Sequence, residues 1–184
     1  MSTIINGSSS AITFPDSSVQ NTSAIVGGKV PYANLPAGSV LQVVQGTITS
    51  SQISASGGGA LATTGISASI TPQSINSKIL VIPNITNIYV GSGIGMGVAI
   101  YRGATNVYQH GYEQSGGYLG SLYSGGGGVI GTASFSYLDS PATTSATTYS
   151  IYWGSYNGTA YINYQGSATV VGTGSYITLM EIAG

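Results

Sequence analysis

Residues Ser134–Trp153 read SFSYLDSPATTSATTYSIYW, and the fold class follows from that stretch. Phe135 and Tyr137 alternate with Ser134 and Ser136. After a turn at Asp139-Ser140-Pro141-Ala142 and a Thr/Ser-rich run, Tyr149, Ile151 and Trp153 alternate with Ser150 and Tyr152. Side chains on a strand repeat every two residues, so the pattern predicts two pleated strands, each with one buried face. Pro141 has no amide hydrogen and a fixed φ, which suits the turn and not a central ladder.

Outward from this stretch, strand signals recur at the spacing of a sandwich or barrel. They cover Ser39–Thr49, Ala62–Thr71, Val98–Tyr101, Asn106–Gln109, Thr132–Leu138, Thr147–Trp153, Ala160–Gln165, Ala168–Val171 and Tyr176–Ile182. Lys78–Pro83 (KILVIP) is the most apolar short run and is expected to be a central strand, continued by Ile85–Val90 after a bend at Pro83-Asn84. Arg102-Gly103-Ala104-Thr105 reads as a hairpin turn, and Asn157-Gly158 as a tight hairpin. No apolar stripe of helical period persists. The prediction is all-β: a jelly-roll-like antiparallel β-sandwich of eight strands over residues 38–184. Residues 1–37 read as an extended segment with one strand-like fragment, Ala11–Phe14, and a Pro15-Asp16-Ser17-Ser18 turn. Their scattered apolar residues would bury little area alone and need a partner to order them.

Charged residues make up 4% of the 184, against roughly 25% in ordinary soluble domains. Lys29, Lys78 and Arg102 face Asp16, Glu113, Asp139 and Glu181, for a net charge of -1. Near-zero charge favours association over electrostatic solubility. Three cations cannot form the basic stripe that phosphate backbones require, so no nucleic-acid partner is expected. The mean hydropathy of +0.27 is high. Even so, no run approaches the ~20 apolar residues of a spanning helix, so membrane insertion is not expected. MSTIINGSSS has neither the basic nor the apolar region of a secretory signal. The absence of cysteine removes disulfides and thiolate metal sites.

Gly91, Gly93, Gly95 and Gly97 alternate along one run, which on a strand would bare one face for close approach of another surface. His110–Gly128 (HGYEQSGGYLGSLYSGGGG) combines glycine freedom with Tyr112, Tyr118 and Tyr123, a composition shared with paratopes. Glu113, Gln109 and Gln114 could bond ligand hydroxyls there. The segment reads either as a receptor-contacting loop or as a buried loop between subunits. Trp153, Tyr156 and Asn157 fall near a predicted hairpin tip, with Tyr161 and Tyr164 on the returning strand. They suit a sugar-stacking platform, while the register of Trp153 with Tyr149 and Ile151 fits the core better. The candidate receptor-binding residues are therefore Tyr112, Glu113, Gln114, Tyr118, Tyr123, Trp153, Tyr156 and Asn157. No catalytic residues, metal site or cofactor are expected. His110 and Glu113 are the only neighbouring acid–base pair, and four carboxylates in the whole chain leave little for a glycosidase pair. Asp16 and Asp139 read as turn formers, and Glu181 as a partner of Lys78 or Lys29.

LDSPATTSATTYSIYW together with the ending GSYITLMEIAG resembles the distal domain of tail-fibre proteins from tailed bacteriophages, especially phages of cyanobacteria and other aquatic bacteria. ITFPDSSVQNTS at Ile12–Ser23 and LPAGSVLQVVQ at Leu35–Gln45 point the same way. Residues 110–128 are not among the resembling segments. The resemblance implies a virion protein and a homotrimer. Residues 1–37 would attach to a tail or baseplate protein, and the sandwich would meet a host surface polysaccharide. A capsid decoration protein and a small depolymerase are the alternative expectations.

Overall fold

The computed structural model describes residues 30–47, 52–55, 60–110, 122–164, 166 and 174–184, together with three short N-terminal strands. Those three are β1 (Ile4–Ile5), β2 (Ala11–Thr13) and β3 (Val19–Asn21), paired antiparallel in one small sheet. A 3-10 turn at Tyr32–Asn34 precedes β4 (Val40–Thr47). There follow β5 (Ile53–Ala55), β6 (Ala62–Ile70), β7 (Lys78–Val90), β8 (Gly95–Arg102), β9 (Thr105–His110) and β10 (Leu122–Tyr123). The chain ends with β11 (Val129–Ser134), β12 (Tyr137–Asp139), β13 (Thr147–Tyr156), β14 (Ala160–Ile162) and β15 (Tyr176–Ile182). Every pairing is antiparallel. The main body is a sandwich of a seven-stranded sheet, β4-β15-β7-β14-β5 with β11 and β12 also on β7, and a five-stranded sheet, β10-β8-β13-β6 with β9 also on β8. The all-β sandwich expectation therefore holds, although the described residues give twelve strands in the two main sheets where eight were expected.

β7 organises the larger sheet. Its 13 residues span roughly 40 Å, longer than any one partner, so each flank is paired by two strands in tandem. β12 and then β11 occupy one flank, β15 and then β14 the other. No bend occurs at Pro83-Asn84. The strand runs straight through, because the ladder on the β11/β12 side is interrupted opposite Ile82 and Pro83, where a residue without an N–H does no harm. The irregularity falls instead at Asn87, with φ +48°, a conformation Asn tolerates better than most residues. It switches the phase of the strand. Ile79, Val81, Pro83 and Ile85 point inward before it, Ile88 and Val90 after it.

Backbone groups freed at this switch are satisfied locally. Asn163 N donates to Thr86 O (3.2 Å) and Tyr164 N to Asn87 O (2.8 Å). Thr86 N donates to Ser175 Oγ (3.0 Å), which in turn donates to Asn163 Oδ1 (2.7 Å). Asn163 and Ser175 are fully buried, as unpaired polar groups could not be without a cost of about 1–3 kcal/mol each.

Tyr149, Ile151 and Trp153 line the inner face of β13 at 0%, 0% and 1% exposure, in the alternation that the sequence predicts. They pack with Met96, Val98 and Ile100 of β8 against β7 and β15. Polar contacts fasten the two sheets at the Lys78 end. Arg102 of β8 and Tyr149 of β13 both donate to Asp139 Oδ2 of β12, each at 2.7 Å. Asp139 is thus an inter-sheet clamp and not the turn former expected. Burial, and then the bond to Asp139, push the Tyr149 phenol pKa well above its ordinary range. Glu181 is also buried, and it forms no ion pair with Lys78; the other expected lysine, Lys29, lies outside the described residues. Its carboxylate accepts from Gln42 Nε2 (2.5 Å) and Gln73 N (2.6 Å). On one side the sheets nearly meet: a Cβ at Gly46 of β4 would lie 2.0 Å from Ser67 O of β6.

Four outcomes test this architecture. Arg102→Met should destabilise the fold by about 3–5 kcal/mol because a buried carboxylate loses its cation, while Tyr149→Phe should cost about 1.5–3 kcal/mol. Denaturant unfolding reads both. In wild type, stability should be retained below pH ~10 and fall above it, as the unfolded chain ionises a tyrosine that the fold keeps protonated; Tyr149→Phe should flatten that fall. Gly46→Ala should cost at least about 1–3 kcal/mol, since backbone and not a movable side chain stands in the way.

Candidate functional site

The sandwich has two unlike ends. At the Lys78 end the chain enters β4, and Gly38 N bonds to Ala183 O while Ala183 N bonds to Ser39 O, both at 2.8 Å. The β8–β9 turn at Gly103 and the β12–β13 connection lie there too. All four charged residues whose side chains are described, Lys78, Arg102, Asp139 and Glu181, belong to this end by register. The Val90 end gathers the β7–β8, β10–β11 and β13–β14 turns. His110 and Leu122, the strand ends on either side of 111–121, pair with Val98 and Met96 of β8 near that end.

These turns are tied to one another. Gly93 N donates to Ser124 O (2.7 Å) and Ser124 N to Ile94 O (3.2 Å), which joins the β7–β8 turn to the β10–β11 turn. The Ser124 hydroxyl donates to the Gly127 carbonyl. The Ser155 hydroxyl reaches the carbonyls of Ala55 (3.0 Å) and Gly158 (2.5 Å), holding the β13–β14 turn to β5. Asn157 takes φ +59°, and its Nδ2 lies 3.5 Å from Gly93 O. Asn157-Gly158 does form a turn, but not the expected hairpin: β13 belongs to the five-stranded sheet and β14 to the seven-stranded one, so the turn crosses the sandwich.

Of the residues singled out from the sequence, Tyr112, Glu113, Gln114 and Tyr118 lie outside the described residues. The backbone register sets Tyr123 and Tyr156 on either side of Gly95, and Asn157 follows at once. Tyr156 is 37% exposed. Trp153 is instead part of the core, so it offers no face to a receptor. The glycine run divides. Gly91 and Gly93 belong to the turn region, Gly93 with φ +71°, while Gly95 and Gly97 are buried positions of β8, Gly97 paired with Gly154.

One group of residues was missed. Ile130, Tyr89, Tyr161 and Ser54 form a row across β11, β7, β14 and β5 on the outer face of the larger sheet. The Tyr89 and Tyr164 rings stack at 4.4 Å and 18°, and Tyr161 leans against both at 6.2 and 5.6 Å. The sequence places Tyr161 and Tyr164 on a returning strand but hides Tyr89, because the Asn87 irregularity reverses the face on which a strict alternation would put it. At the other end of the same face, Val43, Met180, Leu80 and Leu138 stand in register across β4, β15, β7 and β12, with Val43 56% and Leu138 48% exposed. Among the described residues there is no cluster of three or more metal-ligating side chains, and no helix is long and apolar enough to cross a membrane. The two described carboxylates are buried and engaged as above.

What the fold and site define is an antiparallel β-sandwich with a braced turn cluster at one end, uncharged among the described residues, and chain entry at the other. No protein-family model matches the chain, and no curated protein matches it significantly. Among solved structures it is similar to VP2 of infectious bursal disease virus in a subviral particle, at 16% identity and a TM-score of 0.39, over 79% of this chain and 39% of that one. Similar values hold for T=1 particles derived from that virus (16%, 0.40, 79% and 37%) and for its Gx strain (19%, 0.35, 79% and 42%). This chain spans about two fifths of the length of those chains.

The left-handed turn residue gives a direct check. Asn157→Val should lower stability by about 1–2 kcal/mol while Asn157→Gly leaves it nearly unchanged, as read by thermal unfolding.

Proposed function

We propose that this chain is a non-enzymatic structural virion protein, a homotrimeric tail fibre of a tailed bacteriophage. Residues 1–37 attach it to a tail or baseplate protein, and the sandwich tip recognises a host surface polysaccharide. The observation that supports this best is the polarity of the sandwich. The chain enters at one end, and the turn cluster with Tyr156 and Asn157 faces away from it at the other. An attachment segment and a recognition tip are thereby separated by the length of β7. The resemblance of Leu138–Trp153 and the C-terminal segment to phage fibres supplies the class.

Self-association has a suitable surface in the exposed row Val43–Met180–Leu80–Leu138, which carries no charge of its own in a chain whose net charge is -1. Apolar patches of this kind mark interaction sites more often than bare solvent faces. Three sites on one rigid body would raise weak sugar affinity by roughly 10²–10⁴.

Size-exclusion chromatography with light scattering should give a trimer. Val43→Lys combined with Leu138→Lys should shift it toward monomer with the sandwich intact by circular dichroism. A wild-type monomer at micromolar concentration overturns the assembly. Separately, Tyr156→Ala should weaken capture of the trimer by bacterial surface polysaccharide about tenfold without lowering the melting temperature. Unchanged capture would remove the tip from the recognition surface, and shortening of the polysaccharide on incubation would favour the depolymerase.

A further inference from the structure

We propose that Tyr89, Tyr161 and Tyr164 form a lateral platform that stacks on neutral hexopyranose rings, beside the turn cluster and distinct from it. The proposal rests on the polysaccharide-binding reading above and adds a second location and a ligand class.

Three observations carry it. The first is chemical. The outer face of the larger sheet has a four-strand row at each end. At the Lys78 end all four members are apolar and aliphatic, whereas at the Val90 end Tyr89 and Tyr161 stand between Ile130 and Ser54. Flat rings with hydroxyl edges match a sugar, whose C–H face is apolar and whose rim is polar. All three tyrosines are partly exposed, and their hydroxyls have no hydrogen-bond partner among the described residues.

The second is geometric. Tyr89 and Tyr164 stack into one block, and Tyr161 meets them at 45° and 47°, so two aromatic surfaces form a shallow corner instead of one isolated ring. Tyr89 is held from behind by backbone: a Cβ at Gly128 would lie 2.6 Å from both its Cε2 and its Oη. A ring fixed before binding loses little entropy on binding.

The third is electrostatic. Lys78, Arg102, Asp139 and Glu181 all lie at the opposite end, so the described surroundings of the platform are uncharged. Phosphorylated, sulfated or uronic-acid ligands would find no cation among them, and stacked nucleic-acid bases would bring phosphates with no partner. Neutral sugars lose nothing there.

The test uses the full chain and isothermal titration with maltohexaose, cellohexaose and a β-galactan hexaose, with hexagalacturonate as the anionic counterpart. At least one neutral hexaose should bind in the millimolar range. Tyr161→Ala and Tyr164→Ala should each weaken it about tenfold, and Tyr164→Phe should retain it within about threefold because the ring remains. Gly128→Ala, which displaces Tyr89 without altering a tyrosine, should also weaken binding. In a Tyr156→Ala background, Tyr161→Ala and Tyr164→Ala should each still weaken hexaose binding about tenfold, which separates the platform from the tip. Circular dichroism establishes that each variant is folded. The platform is overturned if no neutral hexaose binds, if hexagalacturonate binds equally well, or if Tyr161→Ala and Tyr164→Ala leave the affinity unchanged. Loss of polysaccharide capture in Tyr156→Ala alone would sink the platform and leave the receptor reading standing.

Discussion

A strand of thirteen residues cannot be matched by partners of three to seven, and the larger sheet is built around that mismatch. β7 must be paired twice on each flank, so each flank contains a junction. On one flank the junction coincides with Pro83, which has no hydrogen to donate. On the other it coincides with Asn87 and the buried Asn163–Ser175 pair, which satisfies the backbone where β14 gives way to β15. Backbone groups in an interior must be paired, and these two devices allow one long strand to serve both ends of the molecule. Had the ladder on the β11/β12 flank run unbroken past Pro83, or had Asn87 been β-branched, the strand would have ended midway and the two ends would not share one sheet.

Most of the fold could be read from the sequence because inner faces are aliphatic or aromatic and outer faces are Ser and Thr, as in Thr147–Trp153 and Ala62–Ile70. Tyr176–Ile182 matches its observed bounds. The errors are local and share a cause. Alternation assumes an unbroken phase, and it fails where one residue slips, as at Asn87. Pro83 was given the bend because proline is the obvious breaker, whereas the structure places the break in the partner strands. Short strands such as Ile53–Ala55 and Leu122–Tyr123 carry too few residues for any period to show. Arg102 lies 37 residues from Asp139 and Gln42 lies 139 from Glu181, separations that no local signal encodes.

The candidate site was less legible than the core for the same reason. Tyr156 and Asn157 were visible because Asn-Gly marks a turn. The tyrosine platform depends on β7 and β14 meeting in one register, and one member sits beyond the phase slip. Trp153 shows the converse. Its size suggested a contact residue, but its alternation with Tyr149 and Ile151 was the better guide.

The paired amides and carbonyls of Gly38, Ser39 and Ala183 leave the way in and the way out of the sandwich side by side. A unit attached at a single point can be cut from one carrier and spliced into another while its remote end stays undisturbed. The whole sandwich is therefore exchangeable as a cassette with the far turns left as they are.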